Sequence, residues 1–228
     1  MCGRFTLTVD PADLQAAFDL AAPPPADLAP RYNIAPTQAV AAIPNETPRH
    51  VALFQWGLIP SWAKDPKIGN SLINARGETV AEKPAFRAAL KRRRCLILAD
   101  GFYEWKREGT GREARKTPMY IQMKDGRPFA LAGLWEAWKP KEAGDDAWVR
   151  TCTIITTAPN ALMASIHDRM PVILPPEAYA AWLTPGELPT VEALALLQPF
   201  DAAAMTARPV STRVNNPRVD GPDLLSAA

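Results

Sequence analysis

Twenty-four prolines are spread through the 228 residues. A proline inside a helix removes a backbone donor and clashes with the preceding turn, and inside a central strand it breaks the ladder. A chain punctuated this often excludes long helices and repeat arrays and favours short elements joined by many turns. Between the prolines, strand-like runs dominate: GRFTLTV at the start, Ala39–Ile43, His50–Ile59, Cys95–Ala99, FYEW after the Asp100-Gly101 turn, Met119–Met123, Phe129–Trp138, Thr151–Thr157 and PVIL. Helical patterning is brief, over Pro11–Leu20, AFRAALKRRR, Asn160–His167 and Pro176–Leu183. The expected fold is therefore a single α+β domain with a mostly antiparallel, barrel-like β-sheet and short peripheral helices. Its expected extent is 1–218, with 219–228 as a C-terminal tail.

Charge is nearly balanced, 26 Lys and Arg against 24 Asp and Glu, so net charge alone selects no partner. Locally the balance shifts. Between Lys64 and Lys116 there are 14 basic against 7 acidic residues, a segment that suits a phosphate-facing patch or a set of solvated faces. Arg92 to Arg94 reads as a solvated helix face, with extension of a nucleic-acid path as the alternative. No run of ~18 apolar residues suggests a membrane span. The start, MCGRFTLTVD, has Arg4 and Asp10 where a signal peptide would carry its apolar core. A cytoplasmic protein is expected. Three cysteines without CxxC spacing and two histidines give neither a disulfide framework nor a familiar metal site, so no metal and no cofactor is expected.

Cys2 carries the chemistry. Methionine aminopeptidase trims Met before a small residue, which would leave Cys2 with a free α-amine and a thiol on adjacent carbons. An α-amine with a pKa of ~7.7–8.0 is partly neutral at pH 7, whereas a lysine at ~10.4 is not. Such a 1,2-aminothiol condenses with an aldehyde to a Schiff base, and the thiol then closes a thiazolidine. The alternative from position alone is an incidental or lipidated terminal cysteine.

The blocks MCGRF, RYNIAPTQ, WGLIPSW, INARGET, CLILADGFYEW, IHDRMPVIL and STRVNN follow one another along the chain. In this order they resemble the SRAP (SOS response-associated peptidase) family from Met1 to about residue 218. The resemblance implies a protein that binds single-stranded DNA at an abasic site and links to its ring-opened aldehyde through Cys2. It also implies Asn74, Glu104 and His167 as catalytic partners. Arg4, Arg76 and Arg169 are implied at phosphate, Trp62 at the bases, and Pro36 and Trp105 on the DNA side. Ser211 and Asn215 lie in a polar segment suited to phosphate contacts.

Each role has a chemical rationale and an ordinary alternative. Glu104, between Phe102 and Trp105, suits proton transfer during Schiff-base formation, or a strand-end salt bridge. Histidine as a residue type suits acid–base opening of the closed sugar, while His167 could equally be held structurally by Asp168. Asn74 can orient Cys2 or the sugar, or cap a turn. Arginine holds phosphate bidentately and an aromatic ring stacks on any base. Cys95 and Cys152 read as inert core residues.

Three functions compete on these residues: cross-linking and shielding of abasic sites, cysteine peptidase or autopeptidase activity with Cys2 as nucleophile, and non-covalent reading of modified bases. The first explains why the cysteine stands at position 2. Replication-fork proteins are candidate partners, a monomer is the default, and DNA binding would bring the protein to the nucleoid.

Overall fold

The computed structural model describes residues 2–26, 28–109, 115–140, 144 and 147–226. Thirteen strands among them form two sheets. The first is fully antiparallel and contains β1 (Arg4–Leu7), β2 (Arg31–Ile34), β7 (Gly101–Glu108), β8 (Arg115–Met123) and β13 (Met205–Pro209), in the order β13-β8-β7-β1-β2. The second contains β3 (Ala39–Pro44), β4 (Ala52–Trp56), β6 (Arg94–Ala99), β9 (Phe129–Trp138) and β10 (Val149–Thr157). These five close on themselves, because β9 pairs with both β6 and β10 while β10 also pairs with β4. Closure leaves this ring without free edges. Three short strands extend it: β5 (Asn74–Arg76) along β10, β11 (Met170–Pro171) beyond it, and β12 (Ile173–Leu174) along β9.

The fold is the expected barrel-like α+β domain. Most pairings are antiparallel, and the two exceptions, β4 and β5, run parallel to β10. Helices are short: α1 (Pro11–Ala17), α2 (Arg87–Arg92), α3 (Tyr179–Trp182) and α4 (Thr190–Ala195). α1 ends three residues before the expected Leu20. Asn160–His167 yields a single 3-10 turn, Met163–Ser165, and Pro176–Leu183 divides into a 3-10 turn followed by α3. Neither α4 nor β5 is among the elements expected from sequence. No helix of the described residues is long and apolar enough to cross a membrane.

The Asp100-Gly101 turn joins the two sheets, and FYEW lies in β7, which opens the β7–β8 hairpin. Asp100 accepts hydrogen bonds from Thr6 Oγ1, Thr8 N, Thr8 Oγ1 (2.6 Å) and Val9 N (3.1 Å), which fastens the end of β1 to this corner. At Gly101 a Cβ would sit 2.2 Å from the Tyr120 hydroxyl, so only glycine allows the close approach.

Strand alternation divides β7 between two cores. Phe102 enters the main core, which also contains Phe5, Trp56, Ile154 and Cys2. Tyr103 enters a second cluster with Tyr120, Val210, Val214 and Leu224. Val219, Leu224 and Leu225 thus pack on the five-stranded sheet, Leu224 being fully buried. Arg94 departs from the expected solvated face. Its guanidinium is buried and donates to the carbonyls of Leu90 (3.2 Å), Trp182 (Nε, 2.9 Å) and Thr184 (2.5 Å). A buried arginine is tolerable when its donors are satisfied in this way. Arg92 does reach solvent, and Arg93 is half-buried against Glu136.

Candidate DNA-reactive site around Cys2

Cys2 lies just upstream of β1 and is fully buried. Its carbonyl accepts a hydrogen bond from Asn74 Nδ2 at 2.9 Å. Asn74 is placed there because β5 runs parallel to β10, in register Asn74 with Ile154 and Arg76 with Thr156. The remaining Asn74 acceptor, Oδ1, is buried without a partner among the described residues. A buried acceptor left unmade costs about 1–3 kcal/mol, unless a ligand completes it.

Glu104 approaches from β7 on the face that carries Phe102, and is buried. Burial pushes the Cys2 thiol well above its ordinary range, and the nearby Glu104 charge pushes it further. Both effects disfavour the thiolate because it would be a desolvated anion beside another anion. The structure therefore brings Cys2, Asn74 and Glu104 together.

His167 follows the Met163–Ser165 turn. Its Nδ1 lies 3.0 Å from the Arg169 backbone N–H and 2.9 Å from Asp168 Oδ1. Nδ1 can accept from the Arg169 N–H or donate to Asp168 according to the tautomer, so the two contacts are alternatives. Asp168 is 87% exposed, which leaves the ion pair little energetic weight.

The arginines are more engaged than the sequence suggests. Arg169 forms a two-pronged pair with Glu78 and also donates to Thr156 O at 2.8 Å. Hydrogen bonding to Arg169 holds the Glu78 carboxyl below its usual range, with the charge of Arg76 adding to the effect. Arg76 is exposed. Arg4 donates to Asn33 Oδ1 (2.9 Å), Val214 O (2.7 Å) and Asn215 O (3.4 Å), so it ties the C-terminal segment to β1 and β2. Trp105 Nε1 donates to Asn215 Oδ1 at 2.7 Å in the same group.

Trp62 is 59% exposed on the loop after β4. Pro36 is half-buried in the turn after β2, and Ser211 Oγ accepts from Arg213 N. No hydrogen bond joins Pro36, Trp62 or Ser211 to Cys2 among the described residues. Cys95 and Cys152 are buried inside the barrel as free thiols. No cluster of three or more His, Cys, Asp or Glu suited to a metal occurs among the described residues.

Three structural partners escaped sequence reasoning. Glu78 stands in the INARGET block two residues from Arg76, and its acidic character was the only signal. Asn33 is fully buried and its Nδ2 donates to Val219 O at 2.8 Å, while Asp220 accepts from the Tyr32 and Asn33 backbone. Nothing local in the sequence announces those pairings across some 190 residues.

Comparison with known proteins places this geometry in a group. Over its full length the chain is 46% identical to the abasic site processing protein YoqW of Bacillus subtilis, covering all of that protein. It is also 46% identical over 234 residues to the abasic site processing protein YoaM of the same organism, covering 98% of it. The abasic site processing protein HMCES of Xenopus tropicalis matches at 39% identity over 78% of this chain and 58% of its own length. A crystal structure of a protein from Bacteroides thetaiotaomicron superposes with a TM-score of 0.87 at 29% identity, each chain covered in full. The family described as SOS response associated peptidase matches residues 1–217, and the chain belongs to this SRAP family.

Proposed function

We propose that this protein binds single-stranded DNA at abasic sites and cross-links the ring-opened aldehyde through the amine and thiol of Cys2. The observation that carries this reading is the seating of Cys2 in the core, its carbonyl held by Asn74 and its thiol within reach of the buried Glu104 charge. Names of relatives in the same family as abasic site processing proteins support it.

The chemistry balances without a cofactor. With Met1 removed, the Cys2 amine adds to the sugar C1 aldehyde to give a carbinolamine. Loss of one water then gives the imine, with Glu104 positioned to supply the proton that the departing hydroxyl needs. The thiol adds to the same carbon, its proton passes to the nitrogen, and a five-membered thiazolidine results. His167 would serve the preceding opening of the sugar ring. Asn74 Oδ1 would accept an N–H or O–H at the reacting centre. Closure to the thiazolidine removes the imine whose β-elimination would cut the strand.

A peptidase with Cys2 as nucleophile would need the thiol alone, so it leaves the adjacent α-amine without a role. A purely non-covalent base reader would leave the buried terminal cysteine without a use. The test is a denaturing gel of the processed protein with labelled single-stranded DNA carrying one abasic site. A heat- and detergent-stable shifted band, absent in Cys2→Ala, is expected. Absence of that band with a processed Cys2 would overturn the reading.

A further inference from the structure

Beyond the group around Cys2, the structure carries a surface of aromatic rings and cations. Register along β10 locates it. Asn74 is level with Ile154, Ile59 N bonds Thr151 Oγ1 at 2.9 Å, and Trp148 immediately precedes the strand. Six residues of strand separate Ile154 from Trp148, about 20 Å. Ala63 O accepts from Trp138 Nε1 at 2.8 Å and Trp138 is level with Val149, so Trp62, between Ser61 and Ala63, stands near the Trp148 end of this line.

Trp148 is 57% exposed. The Lys139 ammonium covers its ring at 5.4 Å from the centroid. Beneath it opens a cavity of about 510 Å³ whose lining includes Ser61, Trp135, Trp148, Lys139 and Arg93. Ser61 ties the cavity to Trp62. Arg93 also lines a second cavity of about 370 Å³, which runs over α2 past Arg87 and Lys91.

The acids in these cavities are already paired: Glu136 with Arg93, Glu187 with Arg92 and Glu46 with Arg150. Arg87 and Lys91 are exposed, stand four residues apart on one helix face and form no ion pair among the described residues, the Lys91 charge reaching Glu187 only from beyond contact distance. The balance therefore favours an anion, and the neighbouring rings favour one that carries flat apolar groups. Single-stranded nucleic acid has both, a phosphate at each step and a base that stacks on indole.

We propose that the surface from Trp62 past Trp148 to Arg87 and Lys91 carries the flank of the same DNA strand whose abasic site reaches Cys2. This rests on the reading of the chain as a single-strand binder. It adds a path for the intact nucleotides on one side of the lesion.

Unmodified, labelled oligonucleotides of about 5 and about 15 nucleotides, spanning the site sizes of single-strand grooves, test the path by fluorescence anisotropy. Trp148→Ala should bind the long oligonucleotide roughly five- to tenfold more weakly and the short one as the unmodified protein does. The double variant Arg87→Ala/Lys91→Ala should reduce the slope of log affinity against log salt by about 1.4, the loss of two single-strand phosphate contacts. Both variants should cross-link a short abasic oligonucleotide at the unaltered rate.

Unchanged binding of the long oligonucleotide in both variants would overturn the proposal. So would an equal loss at both lengths. Absence of cross-linking in the parent protein would instead strike the covalent reading, and a length-dependent loss would still support the path.

Discussion

Asn74 Nδ2 holds the Cys2 carbonyl at 2.9 Å across 72 residues of sequence. The bond anchors the reactive residue at one point while β1 anchors the chain two residues further on. Because Asn74 sits in a strand paired to β10, the anchor is as rigid as the barrel. Asn74→Ala should therefore slow cross-linking about tenfold, the equivalent of a single ~1.4 kcal/mol hydrogen bond. Single-turnover rates on an abasic oligonucleotide measure this, and unmodified single-strand affinity should stay within twofold.

Glu104 has two separable effects on Cys2. As the proton carrier for imine formation, its replacement in Glu104→Gln should cost about 10²–10⁴ in cross-linking rate. As a nearby charge it raises the thiol, so the neutral amide should lower the thiol again, while burial still keeps it above the ordinary value. The pH profile of iodoacetamide alkylation at Cys2 should shift to lower pH in the variant. An unshifted profile would mean that the charge of Glu104 does not reach the thiol.

Glu78 occupies the guanidinium that a phosphate would need at Arg169. Glu78→Gln should leave Arg169 more available, steepening the salt dependence of single-strand binding by about 0.7 in the log–log slope. The double variant Glu78→Gln/Arg169→Ala should not show that gain. Stability should respond in the opposite direction. A carboxyl with a lowered folded pKa stabilises fully above its unfolded value near ~4.3 and loses this as pH falls through the folded value. With Glu78 about half exposed, the variant should lose under about 1 kcal/mol at pH 7, and the difference should fade in acid. Urea titrations at several pH values check the sign.

How much of this was legible in the sequence depended on the range of the interaction. Phe129–Trp138 was readable as a strand because its ten residues are nearly all apolar, and β9 spans the same ten. Cys2, Asn74 and Glu104 were legible through their blocks, and the structure adds that they meet. Arg94 was not, because in KRRR it is chemically identical to its neighbours, and what buries it are carbonyls about 90 residues away. β5 has three residues, too few for any periodicity, and exists through its pairing with β10. The engagement of Arg4 and Arg169 was equally invisible, since both partners are remote.

The C-terminal segment offers the last test. Leu224 is fully buried against Tyr103, Tyr120 and Val214, and Asp220 receives the backbone donors of Tyr32 and Asn33. Arg4, in turn, donates to the carbonyls of Val214 and Asn215. The segment thus clamps β1 and β2 from behind, and β1 leads directly to Cys2. Leu224→Ala should cost about 2–5 kcal/mol, as for a buried leucine whose cavity does not collapse. For a chain of this length that is a melting-temperature drop of about 5–15 °C. Leu225, only partly buried, should tolerate the same change with a much smaller loss. If the segment were a mere appendage, both substitutions would be silent. A large loss at Leu224 alone, accompanied by slower cross-linking at temperatures where the protein is still folded, would show that the clamp also holds Cys2 in register with Asn74.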